Sequence, residues 1–128
     1  MNDIKKNLNM LGNSLSLRAK RNEILASNIA NAATPHFKAR DIDFDTEIKK
    51  YQQDGPIKVT HETHLSVKKP VAPGKVVFRK NVNPSLDGNT VELAVEQLQF
   101  AENSMRYQST LSFLNGKINT LMSAIKGE

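Results

Sequence analysis

The 128-residue sequence contains no cysteine and no tryptophan, and aromatic residues make up only 5% of it. Without cysteine the chain can form no disulfide, no thiolate metal site and no cysteine nucleophile. It also has no run of about 18 apolar residues, the length that a membrane helix needs. The first nine residues lack the apolar core of a cleavable secretory signal. We therefore expect a protein that is either cytosolic or exported without such a signal.

Proline is absent from both ends of the chain, because all five prolines lie between residues 35 and 84. Proline ends helices, so its placement predicts one domain in three segments: an N-terminal helix in 1–34, an irregular centre in 35–88 and a C-terminal helix in 89–128. The centre contains short β-like runs at 57–59, 65–67 and 76–78. The predicted fold is mostly α, an antiparallel coiled coil of the two terminal helices with a loop-rich, partly β central segment.

The N-terminal segment has a seam in which spacings of four and three residues alternate. This period of about 3.5 residues keeps one face of a helix against a partner over many turns. Two polar residues interrupt the seam, and polar seam residues usually set register. A second stripe beside the seam, Met10, Leu17 and Ile24, can pack against another neighbour. The seam consists of Ile4, Leu8, Leu11, Leu15, Arg18, Asn22, Leu25, Ile29 and Ala32.

The C-terminal segment repeats this pattern over a longer stretch. Asn89, followed three residues later by Glu92, predicts a capping box at the start of the helix. The seam is Leu93, Gln97, Phe100, Ser104, Tyr107, Leu111, Leu114, Ile118, Leu121 and Ile125, and a parallel stripe beside it is Ala94, Leu98, Ala101 and Met105. We predict that the apolar seam residues carry assembly, namely Leu8, Leu11, Leu15, Leu25, Ile29, Leu93, Phe100, Tyr107, Leu111, Leu114, Ile118, Leu121 and Ile125.

The formal net charge of +5 is unevenly distributed. Residues 1–34 contain five Lys/Arg and two Asp/Glu, a net +3, whereas residues 86–128 contain three and five, a net −2. Opposite charges favour packing of the two terminal helices, within a chain or between chains. The alternative is a basic helical nucleic-acid-binding protein, which salt-dependent retention on DNA would reveal. We expect no nucleic-acid partner.

No catalytic arrangement stands out, so we expect neither enzyme activity nor a cofactor or small-molecule substrate. His61-Glu62-Thr63-His64 misses the zinc-protease spacing His-Glu-x-x-His by one residue. A small hydrolase that uses His61 or His64 is the second alternative, and replacing both histidines with alanine would abolish its function.

Three blocks resemble the bacterial flagellar rod, hook and related axial proteins. The first is the Asn-x-x-Asn of Asn28 and Asn31 followed by Thr34, Pro35 and Phe37. Residues 39–44 and 84–91 resemble in particular the proximal rod proteins of that family. Residues 101–108 and 113–118 resemble the same proteins. Ala33 and His36 depart from the usual Asp or Asn and the usual Gly. A Pro-Gly pair favours a type II turn because glycine tolerates a positive φ, whereas Pro-His fits a type I turn more easily and so can direct the chain away from the helix at a different angle.

The resemblance implies a structural role in the rod, the periplasmic shaft of the flagellar basal body. It implies assembly with copies of the same chain and other rod proteins, and contact at the base with the membrane-ring protein and the ring-to-rod adaptor. It also implies export through the flagellar type III apparatus without a cleavable signal peptide. The segment Asn28 to Phe37 would define how the chain leaves the first helix.

A two-helix hairpin cannot cover two apolar stripes on each helix, so other chains must supply the missing contacts. We predict that the terminal segments are largely unstructured in dilute monomer and become helical on assembly. Circular dichroism and hydrogen exchange of dilute protein should then show a weak helical signal and unprotected terminal amides. A strong helical signal with protected terminal amides would contradict this.

Overall fold

A computed structural model describes residues 2–53, 74–80 and 85–127. The elements in chain order are α1 (Asn2–Ala30), β1 (Arg40–Ile42), α2 (Phe44–Gln53), β2 (Val76–Phe78) and α3 (Leu93–Lys126). The two terminal helices dominate the fold, as predicted. The division into segments 1–34, 35–88 and 89–128 stays a prediction.

The terminal helices α1 and α3 pack against each other as an antiparallel pair. Arg18 contacts Asn103, and Asn28, further along α1, contacts Glu96, which is earlier in α3. Sequence numbers therefore rise along one helix and fall along the other at successive contacts. The predicted antiparallel pairing of the two terminal helices is confirmed.

The second stripe of α1 packs against the central segment of the same chain. Leu17 and Ile24 are buried with Ile42 of β1, and Phe44 and Ile48 of α2 pack against them. Met10, the third member of the stripe, lies beyond this cluster and is exposed. Each long helix thus uses one face for its antiparallel partner, and α1 uses a second face for the centre.

Gly74 completes this small core from the other side of the central segment. A Cβ atom added at Gly74 would lie 2.6 Å from Leu17 Cδ1 and 2.9 Å from Ile42 Cγ2. These distances are too short for a side chain, so the backbone of the returning segment approaches the core closely only because this residue is glycine.

Helix α2 was not predicted, and Asp43 explains why it begins where it does. The Asp43 carboxylate accepts hydrogen bonds from the Thr46 backbone N–H at 3.2 Å and from its hydroxyl at 2.6 Å. Asp45 and Glu47 follow in the first turn, where negative charge favours a helix start. The capping residues can be read from the sequence, but the segment is too short for apolar periodicity to predict a helix there.

The β content is a two-stranded antiparallel ribbon of β1 and β2. Arg40 pairs with Phe78, Asp41 with Val77 and Ile42 with Val76. The predicted β-like run at 76–78 is therefore a strand, whereas the runs at 57–59 and 65–67 lie outside the described residues.

The predicted capping box at Asn89 is wrong. Helix α3 begins at Leu93, its N-cap is Glu92, and no side chain caps it. The Asn89 amide instead donates to the backbone oxygens of Asn31, Ala32 and Thr34 at 2.9–3.1 Å. Carbonyl groups at a helix C-terminus have no partner within the helix. Asn89 therefore closes the end of α1 with its amide nitrogen, while its oxygen accepts from the Val91 N–H at 2.7 Å in the loop before α3.

The turn that leaves α1 is not of type I, although Pro-His fits that type more easily than Pro-Gly does. His36 has a φ of 61°, and the Phe37 N–H donates to the Thr34 oxygen at 3.3 Å. A positive φ at the third residue of the turn belongs to type II geometry. The His36 N–H donates to the Asp87 oxygen, which ties this turn to the loop before α3. The backbone keeps the conformation that the usual glycine would allow.

None of the helices in the described part of the chain is both long and apolar enough to span a membrane.

The positive φ of His36 gives a test that isolates backbone strain. A Cβ-bearing residue in the left-handed region is less favourable than glycine by about 1–2 kcal/mol, partly offset by the greater flexibility of unfolded glycine. We expect His36→Gly to be more stable than His36→Ala by about 1 kcal/mol in urea unfolding, measured on protein concentrated enough for circular dichroism to show the helices. Both variants lack the imidazole, so their difference reports the backbone alone. Equal stabilities, or a more stable alanine variant, would contradict a positive φ at this position.

Candidate functional site

Where α3 packs against α1 and the ribbon, its buried side chains are polar. Glu96 is 1% exposed and Asn103 is fully buried, whereas the predicted seam positions Gln97 and Leu111 are exposed. Glu96 and Asn103 are seven residues apart and hence lie on one face of the helix. Since buried polar groups must be paired, this face specifies its partners far more strictly than an apolar face would.

Asn28 holds the ribbon and α3 to α1 through one fully buried side-chain amide. Its nitrogen donates to the Arg40 backbone oxygen at 2.7 Å, and its oxygen accepts from the Arg40 N–H at 3.1 Å. The amide thus pairs with β1 as a neighbouring strand would. The same nitrogen donates to Glu96 Oε2 at 3.0 Å. Only an amide side chain supplies a donor and an acceptor in this arrangement.

Arg79, just after β2, joins two carboxylates from different elements. It donates to Glu96 Oε1 at 2.8 Å and to Asp41 Oδ2. Arg21 of α1 binds Asp41 in a bidentate manner, at 2.8 and 3.0 Å, and also donates to Gln99 at 2.9 Å. The result is a continuous buried polar network that links α1, β1, the segment after β2 and α3. We define it as Arg21, Asn28, Asp41, Arg79, Glu96 and Gln99.

The network balances two carboxylates against two guanidinium groups. Burial raises the pKa of Asp41, but hydrogen bonds from Arg21, Arg79 and the Ile42 N–H outweigh it and hold this pKa below its ordinary value of 3.8. The hydrogen bond to Asp41 in turn raises the pKa of Arg21. Both groups therefore stay charged at neutral pH. Removing one member would leave another charge buried without a partner, which strongly destabilises a protein.

A second polar contact lies further along the hairpin at the two residues that interrupt the α1 seam. The Asn103 amide donates to the Arg18 backbone oxygen and to Asn22 Oδ1, both at 2.8 Å. The Arg18 guanidinium stacks on the Phe44 ring with 4.3 Å between Cζ and the ring centroid. Each polar seam residue of α1 thus meets a polar partner on α3, which opposes sliding of one helix along the other.

The predicted family-motif residues lie together but have different contacts. Asn28 belongs to the buried polar network, whereas the Asn31 side chain donates to the Ser27 oxygen in the last turn region of α1. Thr34 donates to Asn31 Oδ1, and Pro35 occupies the exposed turn. Phe37 is half-buried, and its oxygen accepts from the Thr90 N–H.

The predicted assembly residues differ in exposure: one is buried, and the others are half-buried or exposed. Leu25 is fully buried. Partly covered positions are Leu8, Leu11, Leu15, Ile29, Tyr107, Leu114 and Leu121. The side chains left exposed on α3 are Leu93, Phe100, Leu111, Ile118 and Ile125. Whether these residues carry assembly stays a prediction.

Sequence reasoning missed six site residues, namely Arg21, Asp41, Arg79, Glu96, Gln99 and Asn103. Glu96 and Asn103 share the spacing of seven that marks a seam, but an apolar-periodicity criterion discards polar positions. For Arg79 there was no local signal, because its partners are 17 and 38 residues away in the chain. Only the folded chain brings these charges together.

Nothing among the described residues suggests a metal or cofactor site. In residues 2–53, 74–80 and 85–127, no group of three or more His, Asp or Glu side chains is placed to hold a metal ion. His61 and His64, the residues of the hydrolase alternative, lie outside the described residues.

Comparison with known proteins gives a consistent family. Residues 8–38 match the family described as flagella basal body rod protein. A flagellar basal body rod protein FlgB of Cereibacter sphaeroides is 51% identical over 128 residues, covering 100% of both chains. The FlgB proteins of Aeromonas hydrophila and Escherichia coli K12 are 45% and 43% identical, with 90% and 88% of this chain covered and 89% and 88% of theirs. The chain belongs to the FlgB family.

The segment that matches the family, residues 8–38, contains part of the site described above. Residues 8–38 include Arg21 and Asn28 of the buried polar network and the whole helix-exit turn. The remaining network residues lie outside that segment but inside the full-length matches. The network therefore draws on both terminal helices and on the central segment of this chain.

The low pKa of Asp41 predicts how stability depends on pH. A carboxylate whose pKa is depressed by folding stabilises the protein above its unfolded pKa, and this stability is lost as pH falls through the folded pKa. We expect Asp41→Asn to lower the unfolding free energy by about 2 kcal/mol at pH 7. The difference from wild type should begin to shrink at about pH 4, where Asp41 of the unfolded chain binds a proton, and should shrink further as pH falls toward the lower pKa of the folded state.

Urea unfolding between pH 7 and pH 3 measures this difference. Asp45→Asn is the matched control, because it removes the same charge from an exposed position in the first turn of α2. It should change stability by only a few tenths of a kcal/mol. A constant offset between Asp41→Asn and wild type down to pH 3 would show that Asp41 does not titrate in this way.

Proposed function

We propose that this chain is a structural subunit of the proximal flagellar rod and assembles through its terminal helices. Its full-length similarity to flagellar basal body rod proteins FlgB supports this role. The observation that carries the assembly mechanism is the large apolar surface that remains on α3. Leu98, Met105 and Ile125 are 67%, 69% and 85% exposed in the single chain. Exposed apolar surface of this extent marks an interaction site.

Many of the exposed apolar side chains on α3 fall into two rows that match the predicted seam and its parallel stripe, whereas Val95, Phe113 and Met122 lie outside both. Leu111, Ile118 and Ile125, at intervals of seven, belong to the first row, and Leu98 and Met105 belong to the second. Each row follows one side of a helix, which is the geometry that another helix can cover. We assign both rows to contacts with neighbouring subunits. Contacts between different patches on identical chains extend into a helical tube when the rotation from one subunit to the next does not close a ring.

The open end of the hairpin offers a third apolar contact. Ile4, Leu8 and Leu11 of α1 and Leu121 of α3 line a cavity of about 360 Å³ that opens to solvent. The two helices therefore do not fill the space between their own ends. A neighbouring subunit that inserts a side chain here would bury the same residues that the seam prediction names.

The buried polar network fits this mechanical role. It fixes the ribbon and α2 to the hairpin by charge-assisted hydrogen bonds, whose geometry is narrower than that of apolar contacts. A subunit that transmits torque needs a fixed angle between its helices and its outer segment. We infer that the network sets this angle.

The location and further partners follow from the same proposal. The subunit acts in the periplasmic rod of the basal body, with other rod proteins as neighbours and the membrane-ring protein and ring-to-rod adaptor at its base. It reaches that position through the flagellar type III export apparatus without a cleavable signal peptide. It has no catalytic role, no nucleic-acid partner and no small-molecule substrate.

The comparisons give no support to either alternative function. All the relatives reported are named as rod proteins, and none is named as a nucleic-acid-binding protein or a hydrolase. Salt-dependent DNA retention remains the discriminating test for the first alternative, and the double histidine-to-alanine variant for the second.

A charge placed in the exposed row tests assembly without disturbing the hairpin. We expect Leu111→Glu to reduce incorporation into basal bodies at least about tenfold, since burying Leu contributes about 1.5–3 kcal/mol and a buried unpaired charge adds a further penalty. Ser112→Glu is the control, because it adds the same charge at the adjacent exposed position without removing apolar surface. Incorporation is measured by immunoblotting of purified basal bodies from a complemented deletion strain, alongside swimming.

Electron microscopy of basal bodies from the deletion strain tests the role itself. Complete membrane-to-hook structures in the absence of this chain would refute the proposed function. Normal incorporation of Leu111→Glu would refute only the assignment of the row.

A further inference from the structure

The ribbon of β1 and β2 has one closed edge and one open edge. The edge of β1 is closed by Asn28, whose amide pairs with the Arg40 N–H and oxygen as a neighbouring strand would. On its other side β1 pairs with β2. Among residues 2–53, 74–80 and 85–127, no third strand pairs with β2. In this part of the chain, the outer edge of β2 therefore has no strand beside it.

The direction of the β2 backbone groups follows from their partners on β1. In an antiparallel pair, residues that bond each other alternate with residues whose backbone groups point away from each other. The Arg40 N–H and oxygen bond Asn28, so they point away from β2. Phe78 lies opposite Arg40, and hence its own N–H and oxygen point away from β1. The same holds for Val76, two residues earlier, whereas the backbone groups of Val77 face β1.

The side chains of β2 are apolar and exposed on both faces of the ribbon. Phe78 is 72% exposed, and Val76 and Val77 are also exposed. β-Branched and aromatic residues are the ones that pack best against a neighbouring strand. An edge with outward backbone groups and exposed apolar side chains is a template on which an extended segment can pair.

Both ends of β2 are held firmly although its outer edge is free. Gly74, before the strand, lies so close to the core that it admits no side chain. Arg79, after the strand, donates to Asp41 and Glu96. The Arg79 N–H also donates to the Ala39 oxygen at 2.9 Å. Because β2 is already fixed in an extended conformation, pairing with a further strand costs it little conformational entropy.

Exposed cations at both ends of β2 indicate the charge of the segment that it would accept. Lys75 and Lys80 flank the strand and are exposed, and residues 74–80 contain no acid. The acids that follow β1, Asp43 and Asp45, belong to the cap and first turn of α2. Flanking lysines repel the same edge of a second copy, and they attract a strand that is flanked by carboxylates.

We propose that the outer edge of β2 binds an extended segment of another protein, in which β-branched or aromatic residues are flanked by Asp or Glu. The segment adds a third strand to the ribbon through the backbone groups of Val76 and Phe78, and its carboxylates lie near Lys75 and Lys80. This contact goes beyond the proposed rod function, because it uses the main chain of the ribbon and not the apolar rows of α3.

Amide hydrogen exchange, followed by NMR of the full-length chain, tests the contact at the two amides that define it. The protein is used at a concentration at which circular dichroism shows the helices. The probe is the synthetic peptide Glu-Val-Thr-Val-Thr-Val-Glu with blocked ends. At saturating peptide we expect exchange at Val76 and Phe78 to slow about tenfold or more, because both N–H groups gain an acceptor. Exchange at Val77, which already bonds β1, should change by less than about twofold.

Two altered peptides separate the contribution of the backbone from that of charge. N-methylation throughout the probe keeps its side chains and charge but removes the donors that strand pairing needs, so this peptide should leave exchange at Val76 and Phe78 unchanged. Lysine in place of both glutamates should weaken binding about fivefold or more at low salt, since two attractive pairs become repulsive.

Charge reversal in the chain provides the reciprocal test. Lys75→Glu/Lys80→Glu should prefer the lysine-flanked peptide over the glutamate-flanked one by about fivefold or more. Lys5→Glu/Lys6→Glu is the matched control, because it reverses two exposed charges on α1, and it should keep the native preference. Circular dichroism of both variants checks that they fold as the native chain does.

Several results would overturn the proposal. Slow exchange at Val76 and Phe78 in the free chain at every protein concentration would mean that the chain covers this edge itself. Slow exchange that appears only as protein concentration rises would mean that a second copy takes it. No effect of the glutamate-flanked peptide, or an equal effect of its N-methylated form, would exclude strand pairing. Equal binding of the two charged peptides to the native chain would exclude an acid-flanked partner.

Discussion

The fold depends on one requirement, which is that the buried carboxylate of Glu96 and the half-buried carboxylate of Asp41 must meet guanidinium groups. Glu96 is almost completely buried on α3, and its two oxygens accept from Arg79 and from Asn28. Asp41 on β1 accepts from Arg79 and Arg21. Because an unpaired buried charge is very unfavourable, α1, the ribbon and α3 must come together in one relative placement or not at all. The apolar contacts are too few to impose this: the apolar side chains buried among the described residues are Leu17, Ile24, Leu25, Ala39 and Ile42.

This distribution of contacts separates the molecule into two kinds of surface. The inside of the hairpin and its junction with the ribbon are specified by polar pairs such as Asn28 with Arg40 and Asn103 with Arg18. Much of the apolar surface of α3 instead faces outward. A chain that depended only on itself would place its polar residues outside and its apolar residues inside. The arrangement found here is suited to a part whose internal geometry is fixed and whose apolar burial is completed by neighbours.

At the turn after α1, long-range contacts hold a backbone conformation that the local sequence does not favour. His36 replaces the family's usual glycine yet keeps a positive φ. The turn is held by the Asp87 and Thr90 backbones and by Asn89, which closes the end of α1 from the loop before α3. Sequence pattern alone favoured a type I turn, because local preferences are all that a pattern contains. The contacts from residues 87–90 outweigh that preference.

The sequence by itself determined the two long helices, their antiparallel pairing and the short strand at 76–78, since apolar periodicity and the placement of proline are local and strong signals. It also determined the family, through residues spread along the whole chain. It did not reveal α2, whose Asp43 cap is local but whose length is short. It did not reveal the role of Asn89, whose partners at the end of α1 are 55–58 residues away. The face that α3 turns inward depends on Arg79, Asp41 and Glu96, which meet across large sequence separations, and periodicity treats such polar residues as solvent-facing. Only the tertiary structure decided which polar residues would be buried, because burial of a charge is acceptable only where its partner is.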